Sequence, residues 1–276
     1  MSMQARQMFT GCTSEDVAPL VFLTSMEEVY EEAVSRLREA GDEVRGRGGF
    51  QARRGKIHQV DVTVLKTPIG APATAIALEE LSRLGARIFV KVDTALGLQR
   101  RLRIGSLIVP IAAVRAESVS KNYAPPEFPA IPSHRFLQVL DKVVVGRGSV
   151  TPQPAIVMST DAYYITLRED YEKWARLVAA ADMDTAALYT IARVRGLHAG
   201  ALLVIDSSIW SMSREEVWTE QIEESVVKTR EEVINALRVA VDIGLETLVA
   251  LYEALKSERA IERLERSRGE RRTTVA

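Results

Sequence analysis

The stretch from residue 60 to residue 92 constrains the fold more than any other. VDVTVL (60–65) alternates and is rich in β-branched residues, which is the pattern of a strand. KTPIGAP (66–72) supplies the turn chemistry, and an alanine-rich helix is expected from about Thr74 to Leu84, ended by Gly85. RIFVKV (87–92) is the next strand, and SLIVPIAAV after Gly105 is another. Strand, turn, helix, strand is the order of a βαβ unit with a parallel pair, because parallel strands need a long crossover. A mixed α/β fold with helices flanking a twisted sheet is therefore expected.

Other segments fit this frame. VAPLVFL (17–23) reads as a buried strand, followed by a helix over Glu27–Ala40 with Ser25 as its N-cap and Gly41 as its stop. RGRGGFQARRG (45–55) is a glycine-rich, basic loop and hairpin. The proline-rich run 123–132 is an ordered loop or connector. AIVM (155–158) and ALLVI (201–205) are further strands, with helices expected over Glu169–Ala180 and Asp184–Arg195. From Arg214 to about Arg268 nearly every residue favours helix, with a break expected near Gly244. No linker or internal repeat divides the 276 residues, so they read as one domain with a C-terminal helical segment over 214–272.

Composition excludes several classes. At 47% hydrophobic and 26% charged residues the chain is neither disordered nor collagen-like. Thirty-six basic against 37 acidic residues give no global attraction to nucleic acid. No uncharged run reaches the roughly 18–20 residues of a membrane span, and no secretory leader is visible, so the expected location is cytoplasmic. The single Cys12 can form neither an internal bridge nor a four-cysteine metal site. Arginine supplies 28 of the basic residues and asparagine only two positions, a composition suggestive of a thermophile or a GC-rich genome.

Without reference to any family, the chemistry points to strand ends. Lys91, Asp93 and Thr94 follow a buried strand at the end where open α/β sheets bind ligands. If the strand continues, Lys91 and Asp93 are expected on opposite faces, able to pair only at its end. Asp182 and Asp184 precede an apolar helix, where they either cap it or hold the hydroxyls of a polar ligand. The helix after TPIGAPA offers N–H groups to an anion but lacks the spacing of a P-loop. His58, His134 and His198 are far apart in sequence, show no metal-ligand spacing and read as structural or surface residues.

The order of motifs resembles the nucleoside phosphorylase family, in particular its uridine phosphorylase branch. PIGAPATAIALEEL (68–81) is similar to the family's GIGGPSxxIAVEEL, LGARIFVKVDTALGLQ (84–99) to LGxxxFxRxGTxGxxQ, and GSLIVPIAAVR (105–115) to GDxxxxxxxxR. APPEFPA (124–130), STDAYY (159–164), DMDTAAL (182–188) and RGLHAG (195–200) follow in family order. The resemblance implies a nucleoside phosphorylase-like mixed sheet, commonly assembled as dimers or hexamers. It also implies reversible phosphorolysis, in which phosphate attacks the anomeric carbon of a nucleoside to give ribose 1-phosphate and free base. No cofactor is implied; phosphate is the co-substrate.

Carried over position by position, the resemblance places Lys91 at a phosphate-binding arginine, Thr94 at phosphate or ribose, Met183 against the sugar and Asp184 at the ribose hydroxyls. Lys91, Thr94 and Asp184 are accordingly the expected catalytic set. Tyr163, Ala95, Leu96 and Arg168 are expected around the base, and Arg47 or Arg45 is expected to reach phosphate from a neighbouring subunit. The family's Gly-Asp-Pro-x-Arg phosphate loop falls on Thr24-Ser25-Met26-Glu27-Glu28, so Glu28 would stand in the place of an arginine, while Asp93 replaces a glycine. The uridine-reading pair falls on Leu167 and Glu169, which do not support uracil recognition; the purine branch's Ser-Asp has only Asp206-Ser207-Ser208 nearby, in an offset register. Turning one phosphate contact from attractive to repulsive costs several kcal/mol at ~4 Å and an effective dielectric near 20. Three expectations follow: a divergent phosphorylase with a degraded phosphate site, a hydrolytic nucleosidase using Asp93, Glu28 or Asp182 as base, or a non-catalytic subunit that completes the site of an active paralogue. Nucleoside or ribose 1-phosphate is the expected ligand, and a homo-oligomer, or a hetero-oligomer with that paralogue, the expected assembly.

Overall fold

The computed structural model describes residues 6–148, 150–163, 168–210 and 220–273. Nine strands build one mixed sheet: β1 (Leu20–Thr24), β2 (Val44–Arg45), β3 (Gln51–Ile57), β4 (Val60–Lys66), β5 (Ile88–Gly97), β6 (Leu107–Ala116), β7 (Gln153–Thr160), β8 (Ala180–Asp182) and β9 (His198–Ser208). Among the described residues six α-helices flank it: α1 (Glu27–Ser35), α2 (Ala71–Arg83), α3 (His134–Arg147), α4 (Arg168–Trp174), α5 (Thr185–Val194) and α6 (Glu220–Thr273).

The sheet runs β2-β3-β4-β1-β5-β8-β7-β6-β9, and β9 also pairs with β5. That second pairing closes β5, β8, β7, β6 and β9 into a ring, from which β1, β4, β3 and β2 extend as a tail. The expected parallel unit is present: β1 pairs parallel with both β4 and β5. The loop and hairpin expected over 45–55 joins β2 to β3 in antiparallel register; a second hairpin, not expected, joins β3 to β4, with His58 and Gln59 at positive φ (46° and 68°), the geometry of a tight two-residue turn.

Two apolar layers cover the faces. Phe89 and Ala95 of β5 pack with Leu78 and Leu81 of α2 and Leu188 and Ile191 of α5. Val90 and Val92, one residue out of phase, pack with Val29 of α1, Phe136 of α3 and Leu237 and Val241 of α6. This alternation places odd-numbered residues 89–95 under α2 and α5. Among the described residues no helix is long and apolar enough to cross a membrane.

Several expectations are corrected. α1 stops at Ser35 rather than Ala40, because Arg38 leaves to bridge Lys56 of β3. Its N-cap is Met26; the Ser25 side chain is engaged elsewhere. α2 begins three residues early, on the turn at Gly70 (φ 103°), with Pro72 in its first turn where the missing N–H costs nothing. The helix expected over Glu169–Ala180 is only α4, and Ala180 begins the short strand β8. α3 was not expected, although Phe136, Val139, Leu140 and Val144 have helical spacing. α6 runs unbroken through Gly244, whose bare Cα lies against Val92 and Phe22; an added Cβ would meet their side chains at 2.9 and 3.1 Å. Residues 214–219 of the expected helical segment lie outside the described residues.

Candidate active site

β5 changes partners along its length. Ile88–Lys91 pair with β1, whereas Leu96 and Gly97 pair with β8. Between these two neighbours the edge of Val92–Ala95 is uncovered on that side, while β9 lines the other. Strand divergence of this kind makes a crevice at strand ends, where α/β sheets place ligands.

Lys91 and Asp93 project into this crevice on the same face, since residues two apart in a strand share a side. The expectation of opposite faces is therefore wrong, and the Lys91 Nζ lies 3.8 Å from the Asp93 carboxylate. Lys91 also donates to Asp184 at the N-terminus of α5 and lies 3.4 Å from Asp182 at the end of β8. All four side chains are buried, with side-chain exposures of 6% or less. One ammonium thus faces three carboxylates.

Each carboxylate has further donors. Asp93 accepts from the Ser25 N–H (3.0 Å) and hydroxyl (2.7 Å). Asp182 accepts from the Ser159 hydroxyl (2.5 Å), the Thr185 N–H (3.0 Å) and the Thr185 hydroxyl, so it caps α5 from one turn away. Asp184 accepts from the Thr74 hydroxyl of α2 (2.5 Å). Burial pushes Asp93 and Asp182 above the usual carboxylate range, partly opposed by Lys91. Burial opposes the Lys91 charge, but Asp184, Asp182 and Asp93 outweigh it and drive that group well above its ordinary value. Among the described residues no group of His, Cys, Asp and Glu has metal-binding geometry; the ammonium occupies the middle of the carboxylates.

The remaining expected residues divide into those that gather here and those that do not. Thr94 follows Asp93, its N–H donating to that carboxylate (3.1 Å), and its hydroxyl holds Asp206. Met183 is half-buried between the two aspartates of its motif. Ala95 and Leu96 continue β5, and Leu96 packs in an apolar cluster against which Tyr163 rests, with Trp174 and Trp210. Arg168 opens α4. Leu167 lies outside the described residues, and Glu169 is exposed.

Glu28 does not join the cluster. It lies in the groove between α1 and α6, with Glu32 and Arg238. A helix rotates successive residues by 100°, so proximity of residue 28 to Ser25 in sequence did not carry its side chain into the crevice. Arg45 and Arg47 are exposed at the opposite edge of the sheet, Arg45 paired with Glu43. Four strand spacings, roughly 19 Å, separate β2 from β5, so neither reaches the cluster within the subunit.

Asp206 is the residue that sequence reading undervalued. β9 carries a bulge opposite Ala95 and Leu96, which pair with Ile205 and Ser207 and leave Asp206 as the extra residue. The bulge brings it to Thr94. Burial raises its pKa, against hydrogen bonds from Ser207 and Thr94. A register count cannot see a bulge, and the adjacent polar triplet was the only available signal.

Residues 19–242 match the profile described as the phosphorylase superfamily. The chain belongs to this superfamily. The phosphorylase relatives include the guanosine phosphorylase of Halorubrum lacusprofundi, 32% identical over 187 residues, which are 66% of this chain and 75% of the relative. The uridine phosphorylase of Thermococcus kodakarensis is 32% identical over 216 residues, 73% of this chain and 77% of the relative. Among solved phosphorylases, the uridine phosphorylase of Vibrio fischeri complexed with 6-hydroxy-1-naphthoic acid superimposes with a TM-score of 0.78 at 27% identity, covering 89% of this chain and 97% of the other. The purine nucleoside phosphorylase of Toxoplasma gondii shares the fold, with a TM-score of 0.71 at 22% identity over 88% of this chain and 98% of the other.

Proposed function

We propose that this phosphorylase-superfamily protein binds a nucleoside or ribose 1-phosphate in the β5 crevice and cleaves or forms the N-glycosidic bond there, with a phosphate subsite degraded by its own carboxylates. The observation that carries this reading is the enclosure of Lys91 by Asp184, Asp182 and Asp93. A phosphate dianion entering there has to displace an aspartate from the ammonium. It also meets an excess of negative charge in a poorly screened interior, where opposing unit charges at ~4 Å are worth several kcal/mol.

In this reading Asp184 accepts hydrogen bonds from the ribose hydroxyls, Met183 packs on the sugar, and the Thr94 hydroxyl turns from Asp206 to donate to ribose or phosphate. Tyr163, Ala95, Leu96 and Arg168 surround the base. The carbon–nitrogen bond breaks with its electron pair leaving on the base, while the phosphate oxygen bonds the anomeric carbon. The departing base takes a proton. Asp206, brought beside Thr94 by the β9 bulge, is the group assigned to supply it. Arg47 comes from a neighbouring subunit of a homo-oligomer, consistent with its exposed place on the sheet edge.

The satisfied state of Lys91 also favours a second reading, a non-catalytic subunit that lends Arg47 or Arg45 to an active paralogue. One experiment separates these. Free base released from purine and pyrimidine nucleosides is measured with and without phosphate, on the wild type and on Asp184→Asn. Phosphate-dependent release lost in Asp184→Asn is the expected result. Release independent of phosphate identifies a hydrolase instead, and no release with any nucleoside favours the subunit reading.

A further inference from the structure

Two of the chain's three histidines, read from sequence as unrelated, meet at one cavity. His134 opens α3 and His198 opens β9, and both line a cavity of about 690 Å³ together with Arg135 and Arg193. This volume is in the range of small-molecule sites. The cavity lies away from the β5 crevice. His198 pairs with Ile88 and Ala201 with Lys91, so three residues of strand, about 10 Å, separate the two levels. α5 spans the interval, its N-cap Asp184 at Lys91 and its last turn, with Arg193, at the cavity.

The lining is basic and its charge is incompletely neutralised. Arg135 pairs with Glu258 of α6. Arg193 has no carboxylate partner among the described residues, whereas Arg195 beside it is held by Glu79 at 2.7 Å. The backbone adds donors. The Ser133 Oγ is taken by the Ala199 N–H at 3.0 Å and does not cap α3, and the Ser133 carbonyl receives the N–H groups of Phe136 and Leu137. The N–H groups of His134 and Arg135 precede the first intrahelical bond, at the positive end of the helix dipole. Tyr189, Ala192 and Leu197 give the same cavity an apolar wall, all three with little exposed surface.

A dianion on two arginines and two imidazoles, with a compact organic body against an apolar wall, is the chemistry of a phosphate monoester. We infer that this cavity is a second ligand site, which binds a small phosphate monoester independently of the β5 crevice.

Three histidines make the test local, because His58, on the hairpin between β3 and β4, is a built-in control. Imidazole resonances of the full chain are followed by NMR during titration with ribose 5-phosphate and, in parallel, AMP, which separates a sugar phosphate from a nucleotide. Saturable shifts of His134 and His198 with either compound, His58 unmoved, are expected. Arg193→Glu, a charge reversal at an exposed position, weakens binding by about tenfold or more. Ribose without phosphate produces no shift. The assignment is overturned by absence of shifts at millimolar ligand, by equal binding to Arg193→Glu, or by inorganic phosphate binding as tightly as the monoesters.

Discussion

Lys91 and Asp184, 93 positions apart in the chain, form a direct ion pair in the interior, with side-chain exposures of 3% and 5%. The pair joins the middle of β5 to the N-terminus of α5. Asp182 and Asp93 share the same ammonium, so Lys91 is the single cation of a four-member cluster.

Removing that cation leaves three buried carboxylates without compensation. Lys91→Met is expected to cost about 3–5 kcal/mol, the usual result of breaking a buried ion pair from one side. Adding Asp184→Asn and Asp93→Asn to Lys91→Met recovers a large part of the loss. Urea unfolding of the three proteins checks this; a single mutant as stable as wild type contradicts the cluster's role.

The cluster also sets the pH dependence. Asp93 and Asp182 have raised pKa values in the folded state, so the folded protein binds more protons than the unfolded chain between the ordinary aspartate value and the raised one. Their contribution to stability therefore falls as pH rises through that window. Lys91 acts at the other end: its contribution is complete below the ordinary lysine value and is lost as pH rises toward its raised one. Asp93→Asn flattens the acid-side slope when unfolding free energy is measured from pH 4 to 8, and an unchanged slope excludes Asp93 as a source.

Relieving the same charge should admit phosphate. Asp93→Asn removes one carboxylate near Lys91 while keeping its shape. Affinity for inorganic phosphate, measured by calorimetry, is expected to rise about tenfold or more, roughly 1.4 kcal/mol. No gain means that access or geometry, rather than charge, limits phosphate at the crevice.

Gly244→Ala opposes two effects of known size. Helix propensity favours alanine by about 1 kcal/mol. The new Cβ meets Val92 at 2.9 Å and Phe22 at 3.1 Å, and overpacking of this kind costs about 1–3 kcal/mol. A net loss is expected, read as a lower Tm; a higher Tm means that α6 shifts outward at little cost.

Arg115 organises the segment after β6. Its guanidinium donates to the Ser120 Oγ and to the carbonyls of Ser120, Ala124, Pro125 and Phe128. Arg115→Met strands these acceptors and is expected to cost about 2–3 kcal/mol and to open residues 120–128 to proteolysis. Limited digestion followed by mass spectrometry locates the cut.

The architecture was readable where one period dominates. The alternation of β4 and the alanine face of α2 announced the parallel unit, and the ordered motifs from Pro68 to Gly200 announced the family. Departures came where tertiary contacts outweigh local preference. Gly244 marks a helix break on propensity alone, yet the same missing side chain lets α6 sit against β5. β8 is only three residues long and follows a helical pattern, so nothing local distinguishes it from the end of that helix. In the candidate site, Lys91, Asp93, Thr94 and Asp184 stand out in the sequence by their place at a strand end or a helix start, and Met183 by motif order, but the mutual pairing of Lys91 with the aspartates does not. The strand period alone could have placed Lys91 and Asp93 together. The arrival of Asp182 and Asp184 depends on β8 joining β5, and Asp206 depends on a bulge.

The ring closed by β5, β8 and β9 has a consequence during synthesis. β5 leaves the ribosome with Lys91 well before the segment bearing Asp182 and Asp184 is translated, an interval of roughly 5–20 s at ordinary elongation rates. Until then the ammonium has only Asp93 to meet it, and β5 lacks both ring neighbours. The nascent amino-terminal half therefore cannot settle into its final form by itself. Asp182 and Asp184 arrive with β8, and β5 is fully covered only when β9 and α6 follow them.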